Sequence, residues 1–214
     1  MHIQSTFRAE RTTVEGTRVS AMPAGMQPAP VTFYPADELI YAQGDTAGPL
    51  YMVEFGTVRI CRVSADGRRQ ITGFLTAGDV FGFEAAGQHD SFAESVDGAG
   101  VRVLRPATGQ EPTATILQMA LRCLARTQQQ LMLLGCRSAN VKMASFLFDL
   151  SEQQGDRRVV HLAMQRNDIA DYLGMTFETV SRTLRFLKDE GIVRLKTISA
   201  IEILDRRALE LMCE

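Results

Sequence analysis

"DIADYLGMTFETVSRTLRFLKDEGIV", residues 168–193, is the stretch on which the fold of this chain turns. Ile169, Ala170 and Leu173 have the spacing of one helix face, and Gly174 stands where a chain leaving a helix needs a left-handed residue. Thr176 has the type and place of an N-cap. Beyond it Val180, Leu184 and Leu187, at i, i+4 and i+7, predict the buried side of a second helix from Phe177 to Glu190. With those residues inward, Glu178, Ser181, Arg182 and Arg185 face outward together. A solvated face has the same look, because Glu178 and Arg182 can pair across one turn for roughly 0.2–0.5 kcal/mol. A groove-reading face uses the same chemistry differently. Arg makes two parallel bonds to guanine O6 and N7, a carboxylate accepts from cytosine N4, and Ser is permissive. Later cations then meet phosphate.

The flanks favour the second reading. After Gly191, "IVRLKT" and "AIEIL" alternate like two strands, placing Arg194 and Lys196 on the polar side of a wing behind the helix pair. Just upstream, "NVKMASFLFDLSEQ" predicts another helix ending near Gly155, and residues 159–162 a short strand. Further back a long helix is expected over residues 113–136, with Pro112 near its start. Leu117, Ala120, Leu124, Thr127, Leu131 and Leu134 recur there at spacings of 3, 4, 3, 4 and 3, the seam of a coiled coil, with Thr127 its imperfect position. Packing on its own domain is the competing account. Because the other side carries Gln128 to Gln130 with Arg122 and Arg126, pairing of two chains along the seam is the better one.

Residues 31–112 have a different texture, short apolar runs punctuated by Gly and Asp. Asp66-Gly67, between "GTVRICRV" and "QITGFL", signals a tight hairpin, since Gly accepts the positive φ of a primed turn. Many short strands with regular turns predict a double-sheet β-roll. Residues 1–30, with Phe7 their one aromatic, lack periodicity and read as a loosely held arm. The fold class expected is α+β: arm 1–30, β-roll 31–112, dimerisation helix 113–136, and winged helix-turn-helix 137–214.

Composition narrows the function. No apolar run approaches the roughly 18–20 residues that cross a bilayer, and no signal sequence opens the chain, so a cytoplasmic protein without membrane contact is expected. Cys61, Cys123, Cys136 and Cys213 are scattered and fit no metal or disulfide pattern. A net charge of −2 excludes a uniformly basic nucleic-acid binder but not a local cationic stripe. An enzyme on the roll needs converging ligands, which His2, His89 and His161, in three separate segments, do not supply.

The order β-roll, long helix, winged helix-turn-helix resembles the CRP/FNR superfamily of bacterial transcription regulators over about residues 31–210. "YAQGD" and "LYMVEFGTVRICRVSADGRRQITGFLTAGDVFGFE" match its roll, and the stretch quoted first matches its DNA-binding helices. "ETVSR" is the form of the FNR and FixK branches, whereas the cyclic-AMP branch has Arg in place of Phe177 and Gly in place of Ser181. The resemblance implies that Glu178, Ser181 and Arg182 read a TTGAT half-site of an inverted repeat, TTGAT-N4-ATCAA, with Arg182 on the guanine. Phosphate contacts are expected from Arg166, Thr176, Thr179, Arg185, Lys188 and Lys196. It implies a homodimeric activator with two partners, double-stranded DNA and RNA polymerase, controlling micro-oxic respiration and nitrogen-fixation genes.

No cofactor or metal is expected. The arm lacks the cysteine cluster of an iron-sulfur centre, and "GFEAAGQHDSFAESVDG" lacks the Arg-Ser or Arg-Thr pair that holds a cyclic nucleotide. There a phosphate would face Asp90, Glu94 and Asp97 without a cation. His89, in a turn-like segment, reads as a solvated histidine and not as a haem ligand. The alternative is a sensor of the same family, gated by a small ligand or nitric oxide and serving denitrification or stress genes. A cupin-like metalloenzyme is the remote one.

Overall fold

The computed structural model describes residues 25–27, 29–107, 113–155 and 157–213. The arm up to residue 24 and Pro112 lie outside the described residues. The α+β architecture expected from sequence is present. Among the described residues nine strands build the roll: β1 (Met26–Gln27), β2 (Val31–Tyr34), β3 (Leu39–Tyr41), β4 (Leu50–Phe55), β5 (Val58–Val63), β6 (Arg69–Leu75), β7 (Val80–Phe81), β8 (Phe92–Ser95) and β9 (Ala99–Pro106). One sheet has the order β1-β9-β4-β7 with β2 also on β9, and the other has the order β3-β8-β5-β6. Tyr41, Val53, Val58, Phe81, Ala93 and Val101 form the roll core. Within it Arg102 of β9 and Glu54 of β4 make a buried ion pair, with Nε to Oε1 at 2.5 Å.

Three details differ from the expectation. Met26–Gln27, read as the end of the arm, pairs with Arg105 and Pro106. Met26 is buried with Met52 and Leu104, and Leu50, Val80 and Ile116 pack against them. Asp66-Gly67 does sit between β5 and β6, but in a five-residue loop, not a two-residue turn. Val63 opposes Arg69, and Ser64 closes the loop onto Arg68 O at 3.0 Å. His89 is not solvated: it is buried, its ring stacks on Tyr41 at 3.7 Å, and Nδ1 lies 3.0 Å from Glu84 Oε1. The acids near it are likewise occupied elsewhere, Glu94 by Arg59 Nε at 2.6 Å and Asp97 by the N–H of Thr57 at 3.1 Å.

Gly56 turns the chain from β4 into β5 at φ +77°, where a Cβ would fall 2.0 Å from the Gly98 carbonyl oxygen. Gly56→Ala is expected to cost about 1–3 kcal/mol, read as a lower thermal midpoint of the roll.

The long helix α1 (Thr113–Gly135) leaves the roll, followed by α2 (Ala139–Gln153). On α1, Leu117, Leu124 and Leu131 of the predicted seam are exposed, and so are Leu121 and Met132, at 52–78 %. Ala120 and Leu134 are half-buried, and the Thr127 hydroxyl bonds back to Cys123 O at 3.0 Å. Four of the six predicted positions, Leu117, Leu124, Thr127 and Leu131, thus face away from the chain, with Leu121 and Met132 exposed beside them. Nor is the opposite side simply solvated. Gln130 is buried, and Arg126 meets Asp79 at 2.5 Å. A single period scores apolar positions alike, whichever neighbour takes them.

Candidate nucleic-acid interface

A second core, including Met143, Leu147, Ile169, Leu173, Val180, Leu184, Leu187 and Ile201, joins α2 to α3 (Arg166–Leu173) and α4 (Phe177–Asp189). Behind them β10 (Val159–His161), β11 (Val193–Leu195) and β12 (Ala200–Ile203) form a sheet of order β10-β12-β11, followed by α5 (Arg206–Leu211). Gln165 and Asp168 close a capping box at the start of α3, and Gly174 ends it at φ 60°. Thr176 caps α4, accepting from the N–H of Thr179 at 3.2 Å. Ile169, Ala170 and Leu173, like Val180, Leu184 and Leu187, are buried.

Glu178, Arg182 and Arg185 consequently stand exposed along α4, and Ser181 is half-buried between them. The bracing pair does not form: among the described residues no ion pair joins Glu178 to Arg182. Arg182 Nη2 instead donates to Thr179 Oγ1 at 3.1 Å, and that hydroxyl lies 3.2 Å from Thr176 Oγ1. Two threonines named as phosphate contacts thus hold the guanidinium at its place on the helix. The Glu178 carboxyl is held below the usual range, first by its own backbone N–H, then by the Thr176 hydroxyl and the charge of Arg182. It is an ionised acceptor at neutral pH.

Arg166 at the start of α3, Ser181, Leu184, Arg185, Lys188 and Asp189 of α4, and Leu195 of β11 line one depression, three cations to one acid. The fold brings four of the named residues together there. Lys196 stands apart on the wing, 3.7 Å from Glu202 Oε2, which also takes Arg194 at 3.2 Å. Arg158 reaches the other oxygen of Glu202 at 3.3 Å. Sequence reasoning missed Glu202 as the acid that gathers the two wing cations and Arg158. The hairpin register held the signal, since Arg194 and Glu202 are directly opposed. The wing ends in Ile198, 85 % exposed.

Residues 141–212 match the model of the Crp-like helix-turn-helix domain, and residues 31–99 that of the cyclic nucleotide-binding domain. The nitrogen fixation regulation protein FixK of Rhizobium meliloti is 42 % identical over 192 residues, covering 89 % of this chain and 91 % of the relative. FixK of Azorhizobium caulinodans is 40 % identical, covering 79 % and 73 %. The solved structure of FixK2 from Bradyrhizobium japonicum superposes with a TM-score of 0.75 at 33 % identity, covering 86 % of this chain and 96 % of that one.

Proposed function

This chain belongs to the CRP/FNR family of transcription regulators, and we propose that it acts as a homodimer that reads a TTGAT-N4-ATCAA-like inverted repeat with α4. The observation that carries the reading is the outer face of α4, where an ionised acceptor, a small hydroxyl and a threonine-held guanidinium stand in a row above a cationic depression. Glu178, Ser181 and Arg182 take base edges. Arg166, Arg185, Lys188 and Lys196 take phosphates, with Thr176 and Thr179 beside them. Two copies pair through Leu117, Leu121, Leu124 and Leu131, which sets two recognition helices about 34–36 Å apart in successive major grooves.

The dimer acts in the cytoplasm, recruits RNA polymerase and activates micro-oxic respiration and nitrogen-fixation genes; the last of these accords with its FixK relatives, which are nitrogen fixation regulation proteins. It needs no cyclic nucleotide. Among the described residues no Lys or Arg lines the depression beside Gly82, Phe83 and Glu84, so a phosphate there would meet the Glu84 carboxylate without a countercharge from them. A gel shift of purified, ligand-free protein on TTGAT-N4-ATCAA tests this. Tight binding supports the reading, and binding only after an effector is added overturns its ligand independence. On the same DNA, Lys196→Ala should weaken every sequence alike and lower the slope of log affinity against log salt by about 1.

A further inference from the structure

The helix α3 is held at both ends by elements outside the helix-turn-helix. A helix leaves its last four carbonyls without intrahelical partners. In α3 the carbonyl of Ala170 takes the N–H groups of Gly174 and Met175. The other three go to side chains from elsewhere. Gln70 of β6 donates to Asp171 O, Gln130 of α1 to Tyr172 O at 2.6 Å, and Lys142 of α2 to Leu173 O at 3.0 Å. At the other end the buried Asp168 carboxylate, already part of the capping box, accepts Arg59 Nη1 at 3.3 Å and Arg69 Nη2 at 2.7 Å. Arg69 Nε reaches Asp171 at 2.8 Å, and Phe74 of β6 packs on Tyr172 at 5.3 Å between ring centroids.

These contacts are directional, and Asp168, Arg59 and Lys142 are buried, whereas Arg69 and Asp171 keep about a third of their side chains exposed. Arg59 is itself fixed by Glu94 at 2.6 Å and by Asp37 at 3.0 Å, so the hairpin cannot slide without breaking several charged bonds. Removing one cation would leave the Asp168 carboxylate buried and under-partnered. Gln130 is informative in another way: its Oε1 is buried without a partner among the described residues, so the amide keeps its place at some cost for a single bond to α3. Since α3 and α4 share one core and one short turn, whatever fixes the tilt of α3 also fixes that of α4.

Resting on the DNA-binding reading, we infer that Arg69 and Gln70, with Arg59 behind them, are positioning residues for recognition. They clamp α3 to the roll and so set the separation of the two α4 helices across the dimer. They touch no DNA. The clamp controls which half-site spacing is accepted, not how well one half-site is read.

The test uses the full chain, inverted repeats with spacers of three to six base pairs, and an isolated half-site. Wild type is expected to prefer the four-base-pair spacer by about tenfold or more, since spacing is set by the geometry of the pair. Arg69→Asp and Gln70→Ala should flatten that preference to about threefold or less with half-site affinity kept, and Arg69→Asp/Asp171→Arg should restore it. Preference unchanged in both single variants overturns the clamp, and so does a uniform loss on half-site and repeats alike. If Arg69→Asp fails to fold, the neutral Gln70→Ala carries the test. Amide exchange across α3 without DNA separates the two readings. A wild type that binds no inverted repeat sinks the DNA-binding reading, whereas unaltered α3 protection in the variants sinks the clamp.

Discussion

Arg182→Ala is expected to lower affinity for the inverted repeat by about 1–3 kcal/mol per half-site, and because the dimer presents two copies the loss is roughly 30-fold or more. The same change should blur the preference for guanine at the contacted position. Its side chain is exposed and, among the described residues, its one hydrogen bond is to Thr179, so folding is expected to stay within about 0.5 kcal/mol of wild type. The measurement is a titration of the cognate repeat and a guanine-substituted repeat at fixed salt. Equal loss on both would assign Arg182 to phosphate. Thr179→Val is a useful companion, since it removes the hydroxyl that orients the guanidinium while leaving the charge.

Leu121→Glu combined with Leu124→Glu should convert the protein to a monomer and reduce binding to the full repeat by between about 10² and 10⁴, the gain that linking two sites supplies. Both side chains are more than half exposed in the single chain, at 54 % and 52 %, so carboxylates there oppose a partner chain and not the chain's own core. Half-site binding should persist. Sedimentation or light scattering gives the mass, and titration of half-site against full site gives the coupling. Leu121 also discriminates between the two seams, because the 3,4 spacing read from sequence passes through Ala120 instead. A dimer that tolerates Leu121→Glu and fails with Ala120→Glu would return the interface to the sequence-derived seam.

The seam illustrates where sequence ran out. Leu134 and Ala120 fit an apolar period as well as Leu121 does, yet Leu134 comes within 3.2 Å of where a Cβ on Gly174 would sit, and it is partly covered by its own DNA-binding domain. Periodicity reports that a face is apolar; only the neighbouring domain decides which part of it remains uncovered. His89 shows the same limit. A histidine between Gln88 and Asp90 looks solvated in one dimension, and only the closing of the roll places Tyr41 over its ring.

By itself the sequence determined the winged helix-turn-helix with its outward face, because Gly174, Thr176 and the Val180, Leu184, Leu187 period act within a few residues of one another. It also determined the β-roll and the long helix beyond it, through turn glycines and local apolar spacing, and through the motifs that resemble one family. The tertiary structure decided what joins these parts: that Thr179 holds Arg182, that Glu202 gathers the wing cations, and that Arg59, Arg69 and Gln70 grip α3 from two paired strands about a hundred residues away. Local backbone preferences and side-chain periods are written in adjacent residues. A hydrogen bond between residues 69 and 171 depends on the register of a sheet and the docking of a helix, and no short window of sequence contains both.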